Sequence, residues 1–134
     1  MKQEFDEALC RDFPALYRNR HASMQETAMC WGFRCGDGWE PLIRTLSGQL
    51  TFLAGVEGNQ PVVSTVKKKF GTLRFYVDNT TPIQDACISA AEARSASVCE
   101  ACGAYGWVRG GGWLVCRCDP CWEAARLPVT DYIP

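Results

Sequence analysis

Two pairs of cysteines near the carboxyl end constrain the fold more than any other feature of this sequence. Cys99 and Cys102 form one C-x2-C pair, Cys118 and Cys121 form the other, and fifteen residues separate them. Two cysteines three positions apart in a tight turn direct both sulfurs to one side, and two such turns can present four thiolates tetrahedrally to zinc. The spacing therefore predicts a zinc ribbon with these four cysteines as the ligands.

The residues between the two pairs contain the hairpin that a ribbon requires. Tyr105–Arg109 and Trp113–Arg117 flank three consecutive glycines, and Gly103 eases the turn after the first pair. A zinc ion held by four thiolates has no open position for water or substrate. The predicted zinc is therefore structural rather than catalytic.

Cys116 is a fifth cysteine in the same segment and an alternative ligand to Cys118. A C-x4-C pair with Cys121 would form a looser loop than C-x2-C, so we favour Cys118. Cys116 is then expected to be a small buried or half-exposed thiol.

A second metal site is a weaker hypothesis. Cys30 and Cys35, together with His21 and either Cys10 or Cys87, would supply enough ligands, but neither C-x2-C nor H-x3-H spacing is present. Cys10 and Cys87 are more typical of core residues on apolar helix faces.

Periodicity predicts an α+β fold, with helices packed on a short antiparallel sheet. The strongest helical stripe begins at Trp39 and ends at Leu53, with Asp37 as the expected N-cap and Gly55 as the expected stop. Thr81 and Pro82 predict the start of another helix. We predict helices near 3–20, 38–54 and 82–97, a hairpin over 62–77, and a possible strand around 29–33. Within 3–20, the first helix is expected to stop at Asp12-Phe13-Pro14, and Pro14 to begin another short helix. Residues 1–97 are expected to form one domain, and 98–134 a zinc-ribbon subdomain with a C-terminal tail.

The composition favours a soluble protein. No apolar run is long enough to cross a membrane, and the amino-terminal segment lacks the apolar core of a secretory signal. We therefore expect a cytoplasmic protein without a membrane partner, in a reducing compartment where cysteines bind metals more often than they form disulfides.

Catalysis is not expected. His21 is the one histidine, no nucleophile motif surrounds it, and the H-x-E element of a zinc deaminase is missing. The glycine-rich stretches lack the lysine and the helix of a phosphate-binding loop.

Two groups of basic and aromatic residues are candidates for binding a partner. One lies on the predicted strands and comprises Lys67, Lys68, Lys69, Arg74 and Tyr76; the other lies on the ribbon and comprises Trp107, Arg109, Trp113 and Arg117. Basic residues next to aromatic ones can grip phosphates and stack on bases. The alternative is that the lysines form a solvated face that blunts an edge strand, and that the tryptophans belong to the core of the ribbon. The net charge of −1 gives no overall bias towards nucleic acid.

The order of three motifs resembles a family of uncharacterised small proteins encoded by phages, prophages and proteobacterial genomes. These motifs are CGDGW-x2-LI (35–43), VKKKFGTLRFY (66–76) and AAEARSASVCEACG (90–103), followed by a final GGW-x4-C-x2-C. The resemblance spans about residues 28–122. The chain departs from the family in having Thr72 after Phe-Gly and in carrying Cys116. The resemblance implies a bacterial setting and a protein that acts by binding a bacterial host protein or complex, with inhibition of a defence or host enzyme as one concrete form. A regulator that binds nucleic acid through Lys67–Lys69, Arg74 and the ribbon arginines is the alternative.

Overall fold

The computed structural model describes residues 1–25 and 27–131, with side chains up to residue 125. The elements of this part of the chain, in order, are α1 (Gln3–Asp12), β1 (Phe33–Arg34), α2 (Glu40–Glu57), β2 (Val62–Lys69), β3 (Thr72–Asp78), α3 (Pro82–Ser95), β4 (Trp107–Arg109), β5 (Val115–Arg117) and α4 (Asp119–Asp131). Two short 3-10 helices, Ala28–Trp31 and Asp37–Trp39, precede β1 and α2. The predicted α+β class is confirmed. None of the helices in the described part combines the length and the apolar character needed to cross a membrane.

The larger sheet has three strands in the order β1-β2-β3, so β2 is its middle strand. β1 is parallel to β2, and β2 is antiparallel to β3. A two-residue turn joins β2 to β3, with positive φ at both Phe70 (55°) and Gly71 (81°), which is the pattern of the tightest hairpin turns. The predicted hairpin over 62–77 is confirmed, but the sheet as a whole is mixed.

Helix α3 covers the open edge of β3. The backbone N–H of Leu73 donates to the Ser95 hydroxyl (2.8 Å), and that of Phe75 donates to a Glu92 carboxylate oxygen (2.9 Å). Both donors would otherwise be free to pair with another strand. The start of α3 is as predicted, since Thr81 forms a reciprocal capping box with Gln84.

Helix α2 provides the main apolar face, as its sequence stripe predicts, but both of its ends differ from prediction. Ile43, Leu46 and Leu50 are buried in the core. The helix continues past Gly55 to the left-handed Gly58 (φ 71°). Asp37 does not cap α2, because its carboxylate accepts the backbone N–H of Lys2 instead.

The amino-terminal third agrees with prediction only in part. The first helix stops where predicted, since α1 ends at Asp12, but turns rather than a second short helix follow it. The strand expected around 29–33 is largely the 3-10 helix Ala28–Trp31, with β1 confined to Phe33 and Arg34. Tyr17 is nonetheless buried, with its ring edge-on to Phe33 at 5.0 Å and its hydroxyl 2.6 Å from the Ser47 hydroxyl.

The buried thiol of Cys35 predicts a loss of stability at alkaline pH. Burial, the largest influence, raises its pKa from 9.0 to about 12. Because folding favours the protonated thiol, its contribution is complete below pH 9 and is lost as pH rises towards 12. We expect the free energy of unfolding of the wild type, relative to Cys35→Ala, to fall by up to about 1.4 kcal/mol per pH unit in this range. Urea unfolding of both proteins between pH 8 and pH 11 measures the difference; parallel curves would contradict the assignment.

Candidate metal centre

The four cysteines of the two C-x2-C pairs lie together. The Sγ atoms of Cys99, Cys102, Cys118 and Cys121 are all within 4.8 Å of one another, and those of Cys102 and Cys118 are 3.6 Å apart. Four sulfurs at about 2.3 Å from a tetrahedral zinc are separated by about 3.8 Å. The donor set and the spacing therefore fit a metal ion of the zinc type.

The first pair sits in a turn whose backbone surrounds one sulfur. Gly103 takes a left-handed φ of 86°, its N–H donates to the carbonyl of Cys99 (2.9 Å), and the N–H of Cys99 donates to Ala104 (2.7 Å). Burial raises the pKa of the Cys99 thiol, but backbone N–H groups of Cys118, Cys102 and Ala101 outweigh it and lower that pKa to about 6. The lowered pKa favours the thiolate form of Cys99, which is the form that binds a metal ion.

The second pair begins α4. Cys118 immediately precedes the helix, Cys121 lies in its first turn, and the N–H of Trp122 donates to the carbonyl of Cys118 (2.9 Å). The positive end of the helix dipole favours thiolates here. The thiol of Cys118, followed by burial and the other cluster thiols, raises the pKa of Cys121 to about 12. A cation is thus needed for all four sulfurs to be deprotonated together, and its binding would release protons. Asp119–Asp131, within the predicted C-terminal tail, are helical.

The CGDGW segment supports the first cysteine turn, a role that spacing alone does not reveal. The N–H of Gly38 donates to the carbonyl of Glu100 (2.7 Å), and the indole N–H of the fully buried Trp39 donates to the carbonyl of Val98 (2.8 Å). A Cβ at Gly38 would clash with the carbonyl oxygen of Cys99 and lie 2.6 Å from the Gly103 nitrogen. Backbone thus packs directly on backbone, which only glycine permits.

Glu100 ties this turn to the sheet. It is 3% exposed, and its carboxylate accepts the N–H of Gly36 (2.9 Å) and the ammonium of Lys68 (3.2 Å). These partners compensate a carboxylate that would be costly to bury alone. Contacts therefore cross from residues 98–103 to residues 36–39 and 68, on either side of the predicted domain boundary.

Cys116 is completely buried, and its thiol donates to the carbonyl oxygen of Ala96 (3.4 Å). The prediction of a buried thiol is confirmed. It belongs to the core cluster that includes Phe75 and Trp39, so the inner side of the β4-β5 hairpin contributes to the main core.

The residues considered for a second metal site are dispersed. His21 and Cys10 line a cavity of about 430 Å³ beside α1, whereas Cys87 lines a groove between α2 and α3. Among residues 1–25 and 27–125, the four-sulfur cluster is the one group of three or more candidate ligands.

The strand residues predicted to bind a partner do not all lie on one face of the sheet. Strand alternation turns Lys68 inward to Glu100, while Lys67 and Lys69 lie on the opposite face. Lys67 does not lie on an edge strand, because β2 is the middle strand and Lys67 is paired with both Arg34 and Arg74. Arg74 and Tyr76 share the outward face of β3, and Tyr76 is 45% exposed.

On the ribbon, Arg109 is largely occupied within the protein. Its guanidinium lies 4.0 Å from the Trp107 ring centre and 5.4 Å from that of Trp122, and it donates to Asp119 (3.1 Å) and to the carbonyl of Arg117. It therefore joins the hairpin to α4. By contrast, Trp113 is 76% exposed and Trp107 is 44% exposed.

In comparisons with known proteins, no protein-family model, no curated protein and no solved structure matches this chain.

Proposed function

We propose that this chain is a non-enzymatic interaction protein, in which a structural zinc ion fixes an aromatic ribbon surface that binds a protein partner. The ribbon surface consists of Tyr105, Trp107 and Trp113. The observation that carries the proposal is their exposure, which is 77%, 44% and 76%, respectively. Large aromatic side chains are enriched at the centres of protein interfaces, where their burial contributes most of the binding energy.

Two members of the ribbon surface are adjacent, since the ring centres of Tyr105 and Trp107 are 6.4 Å apart. The other side of the hairpin packs on the protein: Val108 packs against the core, and a Cβ at Gly71 would lie 2.8 Å from its side chain and 3.5 Å from that of Leu114. The hairpin thus turns one side to the protein and leaves large aromatic side chains exposed, which is typical of an interaction site.

The zinc ion explains how so small an element can present a rigid surface. β4 and β5 have three residues each, and an isolated two-stranded hairpin is marginally stable in water. Four thiolates from the two ends of the hairpin would hold it in one conformation. Preorganised aromatic side chains lose less conformational entropy on binding than mobile ones do.

The chemistry of the cysteines supports binding rather than catalysis. Four thiolates would saturate the zinc ion. Outside the cluster, burial is the main influence that raises the pKa of Cys10 to about 11 and that of Cys35 to about 12. Both are therefore thiols at neutral pH, whereas a nucleophilic cysteine is a thiolate.

The resemblance to phage and prophage proteins supports a bacterial host protein or complex as the partner. Inhibition of a host defence complex is one concrete form of such an interaction, because a binding surface without catalytic groups acts by occupying its target.

Removal of the ribbon aromatics tests the proposal. We expect Tyr105→Ala/Trp113→Ala to lose the stoichiometric partner that the zinc-loaded wild type captures from a bacterial lysate, with affinity reduced at least about 30-fold for two residues worth about 1 kcal/mol or more each. The matched control is Phe52→Ala/Val56→Ala, which removes two equally exposed apolar side chains from α2.

Zinc content and the thermal midpoint of both variants should equal those of the wild type, so that a binding defect is not a folding defect. Retention of the partner by the ribbon variant, or equal loss in both variants, would refute this surface as the docking site.

A further inference from the structure

Three cationic side chains lie in one row across the larger sheet. Arg34 of β1 is paired with Lys67 of β2, and Lys67 is paired with Arg74 of β3. Paired residues point to the same face of a sheet. The adjacent level, Phe33, Val66 and Phe75, is buried, so the row faces outward and spans about 10 Å at the usual strand spacing.

Other residues extend this outward face, which we call the sheet surface and define as Arg34, Lys67, Lys69, Arg74 and Tyr76. Lys69 is exposed at the next outward position of β2. The Lys67 ammonium lies 5.9 Å from the ring centre of Tyr76, which is itself 45% exposed. Positive charge and an accessible aromatic ring are therefore adjacent.

The charges of the sheet surface are not neutralised within the described part of the chain. None of its four cations forms an ion pair there; Arg74 donates to the Thr72 hydroxyl (2.9 Å) and to the carbonyl of Leu73 (3.2 Å). Lys68, on the opposite face of the same strand, is paired with Glu100. The charge of Lys68, on the inward face, is thus compensated by an ion pair, whereas the charges on the outward face are not.

Such a row has a cost for folding. Like charges directly opposite each other on a sheet are destabilising, and the net charge of −1 means that the positive charge is concentrated locally. A polyanion that covers the row would neutralise the repulsion, and the release of its counterions would favour binding.

We propose that the sheet surface binds single-stranded nucleic acid, with Arg34, Lys67 and Arg74 contacting successive phosphates and Tyr76 stacking on a base. Sheets with exposed aromatic residues bind single strands in this way, and stacking tolerates any base. A flat three-stranded face does not enter a duplex groove, which takes a helix or a two-stranded ribbon. The exposed tyrosine favours nucleic acid over an acidic peptide. This activity is separate from the ribbon surface and does not depend on the proposed protein partner.

The test compares two variants of equal charge on the full zinc-loaded chain. Arg34→Gln/Lys67→Gln/Arg74→Gln removes the row, and Arg11→Gln/Arg18→Gln/Arg94→Gln removes three exposed arginines elsewhere. The probe is a fluorescein-labelled 20-nucleotide single strand of mixed sequence, titrated by anisotropy between 20 and 200 mM salt. We expect the row variant to bind at least tenfold more weakly at low salt, with a log–log salt slope smaller by about 2, and the control to change less than threefold.

Two further variants separate binding from a structural effect, and a duplex and polyglutamate serve as competing probes. Tyr76→Ala should weaken binding about tenfold without altering the salt slope, because stacking is not electrostatic. Lys67→Gln should raise the thermal midpoint, because it relieves repulsion. Absence of binding at 20 mM salt, equal weakening in both triple variants, equal affinity for a duplex, or tighter binding of polyglutamate than of the oligonucleotide would each overturn the proposal.

Discussion

Replacement of Cys118 by serine is expected to abolish stoichiometric zinc binding and to lower the thermal midpoint by about 10 °C or more. Cys118 Sγ lies 3.6 Å from Cys102 Sγ within the four-sulfur cluster, and a structural zinc ion contributes its binding energy directly to folding. A loss of at least about 3 kcal/mol corresponds to this shift for a chain of this size. Metal analysis of the purified protein and calorimetry measure the two effects.

The effect should spread beyond the ribbon, because the cluster lies over the core. Trp39 is held through Val98, next to Cys99, and the buried Cys116 belongs to the main apolar cluster. We therefore expect the near-ultraviolet circular dichroism of the buried tryptophan to change in Cys118→Ser, and chelation of the wild type to have the same effect.

Cys116→Ala is the matched control, since it removes a neighbouring thiol that is buried outside the cluster. It should retain one zinc ion per chain and lose about 1 kcal/mol, mainly for the thiol contact with Ala96. Zinc loss in Cys116→Ala with retention in Cys118→Ser would reverse the assignment of the fourth ligand.

Local patterns in the sequence predict the parts of this fold that depend on neighbouring residues. The C-x2-C spacing brings Cys99 to Cys102, the Thr81-Pro82 pair starts α3, and alternation from Leu73 to Val77 gives the two faces of β3. Each of these follows from the geometry of a few consecutive residues.

Features that depend on distant contacts could not be predicted in the same way. Gly36 and Glu100 are 64 positions apart, yet a Cβ at position 36 would clash with the backbone carbonyl of Glu100, which explains the first glycine of CGDGW. Aspartate is a preferred N-cap residue, but the carboxylate of Asp37 accepts the backbone N–H of Lys2 instead. Arg34 joins the sheet surface only because β1 pairs in parallel with β2. In each case a tertiary partner competes with the local preference and determines the role of the residue.

Gly38→Ala is expected to destabilise the protein by about 3 kcal/mol or more and to weaken zinc binding. The backbone of Gly38 is not left-handed, so alanine could adopt it; the obstacle is steric, because a Cβ would clash with the carbonyl of Cys99 and approach Gly103. These are backbone atoms of the cysteine turn, and they cannot rotate away as a side chain would. Either the turn or the start of α2 must therefore move.

The same substitution ten residues later provides the control. Gly48 lies inside α2, and a Cβ there would meet nothing within 4 Å. Gly48→Ala should therefore stabilise the protein by about 0.5–1 kcal/mol, since alanine is the better helix former. Urea unfolding of both variants with zinc, together with competition against a chromophoric chelator, tests the pair. The two changes in the free energy of unfolding should have opposite signs, because the effect at Gly38 comes from its contact with the cysteine turn and the effect at Gly48 from helix propensity. If Gly38→Ala unfolds like the wild type and retains its zinc affinity, the CGDGW segment does not support the metal centre.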